Sequence, residues 1–107
     1  MDKKRIEQIN VKALKLNDSF SVIEDNNNEC LITHISNIGK KRYLEYKQEQ
    51  ENKISVSIYD AMKDNMELKK AAEFICSFNS NDVLEGFYEN TIGFSGEINK
   101  SQFIKIV

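Results

Sequence analysis

The most constraining feature of this sequence is a stretch of strict alternation at residues 52–59. Three aliphatic residues alternate there with two serines and a tyrosine: Ile54, Val56 and Ile58 with Ser55, Ser57 and Tyr59. Because successive side chains of a β-strand point to opposite faces of a sheet, this pattern predicts a strand with one buried and one exposed face. Such a sheet needs a second layer over its apolar face, and the rest of the chain has to supply that layer.

Three further strands are predicted before this stretch. The expected strands cover residues 19–25, 30–36 and 41–48. The polar turns between them, at 26–28 and 37–40, are rich in asparagine and contain Gly39, and both residue types tolerate left-handed backbone. Four short strands at about ten-residue spacing predict an antiparallel meander over about residues 19–59.

Two amphipathic patterns flank the meander and predict helices. Residues 2–16 place a stripe of apolar side chains opposite a basic face. Residues 65–78 carry a second apolar stripe, and the spacing of Asp64 and Glu67 at its start matches a capping box. We expect this second helix to cover the apolar face of the meander.

The C-terminal third predicts a short helix and a hairpin. A second capping-box spacing, that of Asp82 and Glu85, favours a short helix over residues 83–89. Residues 91–98 and 102–107 are rich in strand-forming residues and predict a C-terminal β-hairpin. The sequence therefore predicts one α+β domain over residues 1–107: an N-terminal helix, a four-strand antiparallel meander, a covering helix, a short helix and a hairpin.

The composition is typical of a small soluble protein. The 107 residues carry a net charge of −2, so no overall positive field attracts the chain to nucleic acid. No apolar run approaches the ~18 residues that span a membrane, and none follows the basic start, so we expect no membrane partner and no signal peptide. Cys30 and Cys76 predict reduced thiols in a cytoplasmic protein. Abundant isoleucine, asparagine and lysine indicate an AT-rich genome, of a bacterium or a phage.

The sequence shows no pattern for catalysis, a cofactor or a metal. His34 is the only histidine, and Cys30 lies too far along the same predicted strand to form a thiol–imidazole pair with it. The acids around residues 25–29 lack the glycine and the distal glutamate of a calcium loop. None of the glycines precedes the Lys-Ser or Lys-Thr pair of a phosphate-binding loop. We therefore expect no cofactor and a protein that is not an enzyme.

The favoured hypothesis is a small, non-catalytic protein-binding module, such as a subunit, an adaptor or an inhibitor. Charge is polarised along the chain, because residues 1–16 carry five basic and two acidic side chains, whereas residues 81–97 carry four acids and no base. Such polarity can steer a protein partner. The candidate contact surface is the outer face of the fourth strand, with Ser55, Ser57 and Tyr59. Self-association through a strand edge belongs to the same class.

The alternative hypothesis is a nucleic-acid-binding domain. Its candidate residues lie on the basic face of the first helix and at the basic start of the third strand: Lys4, Arg5, Lys12, Lys15, Lys40, Lys41, Arg42 and Tyr43. Cationic side chains neutralise phosphates, and an exposed tyrosine can stack on a base. Glu45, Glu49 and Glu51 follow in the same region, so the basic residues also fit a charged strand end that discourages edge pairing.

Overall fold

The computed structural model describes residues 3–10, 21–25, 29–35, 41–61, 68–91 and 93–106. These residues form two short helices and seven strands. In chain order they are α1 (Lys3–Asn10), β1 (Ser21–Asp25), β2 (Glu29–Ile35), β3 (Lys41–Gln50), β4 (Lys53–Ala61), β5 (Leu68–Phe78), β6 (Leu84–Thr91), β7 (Phe94–Ile98) and α2 (Lys100–Ile106). No helix in this part of the chain is long and apolar enough to cross a membrane.

The described strands form one antiparallel sheet in which each strand pairs with the next along the chain, from β1 to β7. The four predicted strands of the meander are present as β1–β4, and three more strands extend the sheet. The fold is mainly β, with two short helices, and it matches the predicted α+β class only in this broad sense. The predicted N-terminal helix is helical over residues 3–10, and residues 11–20 lie outside the described part.

One face of the sheet, here called the core face, holds the hydrophobic core. Opposite residues in an antiparallel ladder share a face, and one such row of buried side chains crosses four strands: Ile54, Cys76, Phe87 and Ile98. The predicted burial of Ile54, Val56 and Ile58 is confirmed, because all three are at most 1% exposed. The predicted exposure of the opposite face of β4 is wrong at Ser55 and Ser57, which are buried as well. Ile6 and Ile9 of α1 and Phe103 of α2 belong to the same core, so both helices cover this face. The opposite face is called the outer face below.

The helix predicted over about residues 65–78 is wrong, because residues 68–78 form β5, a strand that lies between β4 and β6. Four alternate side chains of β5 point into the core at 0–5% exposure: Ala72, Phe74, Cys76 and Phe78. The apolar residues of this stretch fit both the period of a helix and that of a strand. Because β4 and β6 pair with it on either side, the stretch forms a strand. Residues 62–67, which include the predicted capping box, lie outside the described residues.

The short helix predicted over residues 83–89 is also wrong, because β6 occupies this part of the chain. Asp82, predicted as the helix cap, has a φ of 59° and is a turn residue instead. The side chain of Asn79 closes the turn, since its Oδ1 accepts hydrogen bonds from the backbone N–H of Asn81 at 2.9 Å and of Val83 at 3.1 Å. Such asparagine turns lead the chain directly from β5 into β6.

The C-terminal hairpin lies earlier in the chain than predicted. It is formed by β6 and β7, with Gly93 in its turn at a φ of 90°. Residues 102–107 were expected to be a strand, but 100–106 form α2. A reciprocal capping box explains the difference, because Asn99 Oδ1 accepts from Gln102 N at 2.9 Å and Gln102 Oε1 accepts from Asn99 N at 3.0 Å.

Aromatic packing attaches α2 to the sheet. Phe103 is 1% exposed. Its ring stacks on Phe87 at a centroid distance of 4.4 Å and an angle of 19°, and meets the edge of Phe74 at 4.9 Å and 87°. Offset-stacked and edge-to-face pairs are the favoured arrangements of aromatic rings. This three-ring cluster therefore holds the C-terminal helix over β5 and β6 on the core face.

A polar network attaches α1 to two turns of the sheet. Arg5 forms an ion pair with Asp82, with Nε 3.1 Å from Oδ1, and also donates to the backbone carbonyl of Glu51. Gln8 donates to the carbonyl of Asp82, and its Oε1 accepts from the backbone N–H of Leu84 at 2.9 Å. The helix thus joins the β3–β4 turn to the β5–β6 turn.

Candidate functional site

The residues predicted to contact a protein partner lie on the outer face of β4, as the alternation of this strand indicated. Ser55 and Ser57 are only 5% and 6% exposed, because longer side chains of β3 and β5 stand beside them in register. Ser55 Oγ donates a hydrogen bond to Glu49 Oε1 at 3.0 Å. Tyr59 is half-buried. The two serines therefore offer a partner little accessible area.

The basic residues proposed to bind nucleic acid do not form one patch among the side chains that the structure describes. Lys4 is exposed, but Arg5 is 9% exposed and pairs with Asp82. Arg42 Nε lies 2.9 Å from Asp60 Oδ1, so this guanidinium also has a carboxylate partner. Tyr43 beside it is half-buried, and it lies at the start of β3.

Distance separates these two groups of basic residues. Arg5 contacts the backbone of Glu51, nine residues along the chain from Arg42. At about 3.3 Å per strand residue the two arginines act roughly 25–30 Å apart. Lys12, Lys15 and Lys40 lie outside the described residues, and the same holds for the side chain of Lys41.

The thiols and the histidine lie apart from one another. Cys30 is on β2 and Cys76 on β5, three strand spacings away, which is about 14 Å and too far for a disulfide within the chain. Cys76 is fully buried, and the loss of hydration raises the pKa of its thiol. His34 lies on β2 opposite Arg42. Among the described residues no three His, Cys, Asp or Glu side chains group in a way that could hold a metal.

Exposed apolar side chains concentrate on one part of the molecule. In the described part of the chain, the large hydrophobic residues with high exposure are Val83, Tyr88 and Phe94, at 52%, 40% and 48%. All three lie on the β6–β7 hairpin or directly before it. We call these three residues the hairpin surface. A set of exposed apolar groups within twelve consecutive residues is more informative than the same groups scattered singly.

The strand β7 forms one edge of the sheet. Among the described strands it pairs only with β6, and this ladder has no register shift. Natural proteins commonly protect such edges with lysine, proline or a bulge. β7 contains neither lysine nor proline, and its single charged residue is Glu97. Within the described residues, the outward backbone groups of β7 therefore have no lysine, proline or bulge beside them that would prevent pairing with another strand.

A cleft of about 530 Å³ opens at the end of this hairpin, where β6 extends past β7. Phe87 and Ile98 form the last pair of the ladder, and both are buried side chains of the cleft wall. The exposed charged residues along the cleft are Glu85, Glu97 and Lys100. The cleft combines apolar surface with acidic groups beside the open edge.

A second cleft, of about 410 Å³, lies at the other end of β6, where this strand separates from β5. Lys70 Nζ and Glu73 Oε2 form an ion pair of 2.5 Å beside it. The hydrogen bond to Glu73 raises the pKa of Lys70. Lys70 and Glu73 therefore satisfy each other, and Glu89, which also lines this cleft, accepts a hydrogen bond from Thr91 Oγ1 at 3.0 Å.

Sequence reasoning missed the hairpin surface because residues 83–89 were assigned to a helix, in which Val83 and Tyr88 have no relation to a sheet edge. The acidic composition of residues 81–97 was the one available signal. Comparison of this chain with protein-family models, with curated proteins and with solved structures finds no match.

Proposed function

We propose that this protein is a small, non-catalytic module that binds another protein through the hairpin surface and the edge of β7. The observation that carries the proposal is the location of the exposed large hydrophobic side chains. Among the described residues these are Val83, Tyr88 and Phe94, and all three lie on the β6–β7 hairpin or directly before it. Aromatic residues are enriched in protein interfaces, where they bury a large area with few rotatable bonds. An edge strand adds main-chain hydrogen bonds to such a contact.

This contact surface differs from the one predicted from the sequence, which lay on β4. Ser55 and Ser57 are nearly inaccessible, whereas Tyr88 and Phe94 each present close to half of their surface. These aromatics lie on different faces of the hairpin, since Tyr88 is opposite Glu97 and Phe94 shares its face with Ile98. A partner that follows the edge can therefore contact both faces.

Affinity capture with matched variants tests the proposal. The tagged chain and the double variant Tyr88→Ser/Phe94→Ser are compared in a lysate of a low-GC bacterium, with bound proteins quantified by mass spectrometry. Loss of an aromatic anchor costs about 1–4 kcal/mol, so retention of a true partner should fall ten-fold or more. The control is Glu51→Ala/Lys53→Ala, which changes two exposed residues at the β3–β4 turn. Circular dichroism verifies that each variant is folded.

A protein retained equally by all three forms would contradict the proposed surface. Light scattering during size exclusion measures the molar mass and so detects self-association. A dimer of the unmodified chain that dissociates in the double variant would support binding at this surface. The nucleic-acid alternative predicts salt-sensitive binding of a labelled single-stranded oligonucleotide that is lost in Lys41→Glu/Arg42→Glu. That result, together with no effect of the hairpin substitutions, would replace the present proposal.

A further inference from the structure

We further propose that the partner supplies an extended, positively charged segment that pairs with β7 as an eighth strand. This inference rests on the proposed function and identifies the chemistry of the partner at the same surface. Three features of the hairpin support it: the open edge of β7, the alternation of its side chains, and the charge around it.

The open edge determines the shape of the segment. β7 is the last strand of the described sheet, and its ladder with β6 is regular from Thr91–Phe94 to Phe87–Ile98. Along such a regular edge, the N–H and C=O groups that point away from β6 can pair with an extended chain.

The alternation of β7 determines the pattern of the segment. Phe94 and Ile98 lie on the core face, whereas Ser95 and Glu97 lie on the outer face. A pairing strand has the same period of two. Its residues beside Phe94 should be apolar, and its residues beside Glu97 should be cationic.

The acidic residues of the hairpin determine the sign of the charge on the partner segment. Residues 81–97 carry four acids and no base. Asp82 is paired with Arg5, which leaves Glu85, Glu89 and Glu97 along the hairpin. Glu85 and Glu97 also line the cleft at the end of β7, where Lys100 is the only basic residue among the described residues of the lining. A cationic side chain that follows the pairing strand can enter this cleft beside the two glutamates.

A second copy of this chain fits the edge less well. Two copies of β7 would bring two acidic hairpins together, each with three acids that have no base on the same hairpin. Like charges across an interface disfavour association. The charge of the hairpin therefore selects a basic partner over self-pairing.

Short peptides test the inference directly. The probes are a seven-residue peptide in which lysine and valine alternate, the same peptide with every valine replaced by proline, and a peptide in which glutamate and valine alternate. Proline keeps the charge but prevents strand pairing. Fluorescence anisotropy at low ionic strength measures affinity, and amide chemical shifts of the ¹⁵N-labelled chain locate the site. The lysine–valine peptide should bind best and shift the amides of residues 94–98.

Charge reversal on the protein supplies the second arm. Glu85→Lys/Glu97→Lys should weaken the lysine–valine peptide by roughly ten-fold or more and strengthen the glutamate–valine peptide. The matched control Glu7→Lys/Glu51→Lys makes the same change of net charge at two exposed acids that lie outside the hairpin and do not line the cleft, and it should retain the original preference. Equal effects of the two double variants would overturn the inference, because net charge alone would then explain binding.

The outcomes separate this inference from the proposed function. Equal binding of the proline-containing peptide, or stronger binding of the glutamate–valine peptide to the unmodified chain, would overturn the basic pairing strand. If Tyr88→Ser/Phe94→Ser still abolished protein capture, the proposed function would stand while the inference failed. If capture did not depend on these aromatics, the proposed function itself would fail.

Discussion

Two substitutions that remove the same atoms should have very different effects on stability. Phe103 is 1% exposed and packs between Phe87 and Phe74, whereas Phe94 is 48% exposed on the hairpin surface. Phe103→Ala should cost about 3–5 kcal/mol, because it removes a buried ring and leaves a cavity. Phe94→Ala should cost about 0.5 kcal/mol or less, as is usual for exposed side chains.

The larger cost is a substantial part of the total stability. The free energy of unfolding of small domains is about 5–15 kcal/mol, so the loss of Phe103 should remove roughly a fifth of it or more. With a urea slope of about 1.5 kcal/mol per M, the midpoint should fall by about 2–3 M. Loss of this ring should also release α2 locally, because its aromatic contacts join the helix to β5 and β6.

Urea unfolding followed by circular dichroism measures both effects, and amide hydrogen exchange of residues 100–106 reports on α2. Phe94→Ala is the matched control, since it deletes the same ring from an exposed position. Equal midpoints for the two variants would refute the described packing of α2. Unchanged exchange of residues 100–106 in Phe103→Ala would refute the role of the ring cluster.

Three further predictions follow from individual side chains. Arg5→Met should lower the free energy of unfolding by about 2 kcal/mol in urea titrations, because it removes charge-assisted hydrogen bonds, and Asp82→Asn should cost less because asparagine tolerates positive φ. Burial raises the pKa of Cys76, so above about pH 9 the unfolded chain loses a thiol proton that the folded chain retains. Above this pH, the free energy of unfolding should fall by about 1.4 kcal/mol per pH unit more steeply than that of Cys76→Val. Near pH 7 the two proteins should show the same pH dependence. Glu73→Gln should lower the pKa of Lys70, measured by NMR titration, because it removes the hydrogen bond that raises it.

The sequence predicts well those strands in which only one period fits. In β4 the alternation of Ile54, Val56 and Ile58 with polar residues has no helical interpretation, and the structure buries all three. Local composition also located β1–β3, because the segments between them carry asparagine and glycine residues that predict turns. These elements depend on side chains and turns within a few residues of one another.

The sequence fails where a segment fits two periods. In β5, Leu68, Ala71, Ala72 and Ile75 match a helical stripe, while Ala72, Phe74, Cys76 and Phe78 match a strand. Helix-forming residues and a capping-box spacing favoured the helix. The decision comes from pairing with β4 and β6, which involves residues as far apart as Lys53 and Ser77 and cannot be read from the segment alone.

The candidate site was missed for the same reason. Whether Tyr88 and Phe94 are buried depends on which strand lies at the edge of the sheet, and composition does not encode strand order. The acidic character of residues 81–97 was visible in the sequence, but its position beside an open edge was not. In contrast, the capping box of Asn99 and Gln102 was a local signal that could have identified α2.

Hydrogen exchange of the β7 amides, with and without the captured partner, tests the account most directly. Edge amides that face away from β6 have no strand partner among the described residues and should exchange quickly in the chain alone. The account predicts that the partner slows exchange at residues 94–98. Slower exchange confined to residues 41–48, with residues 94–98 unchanged, would contradict it.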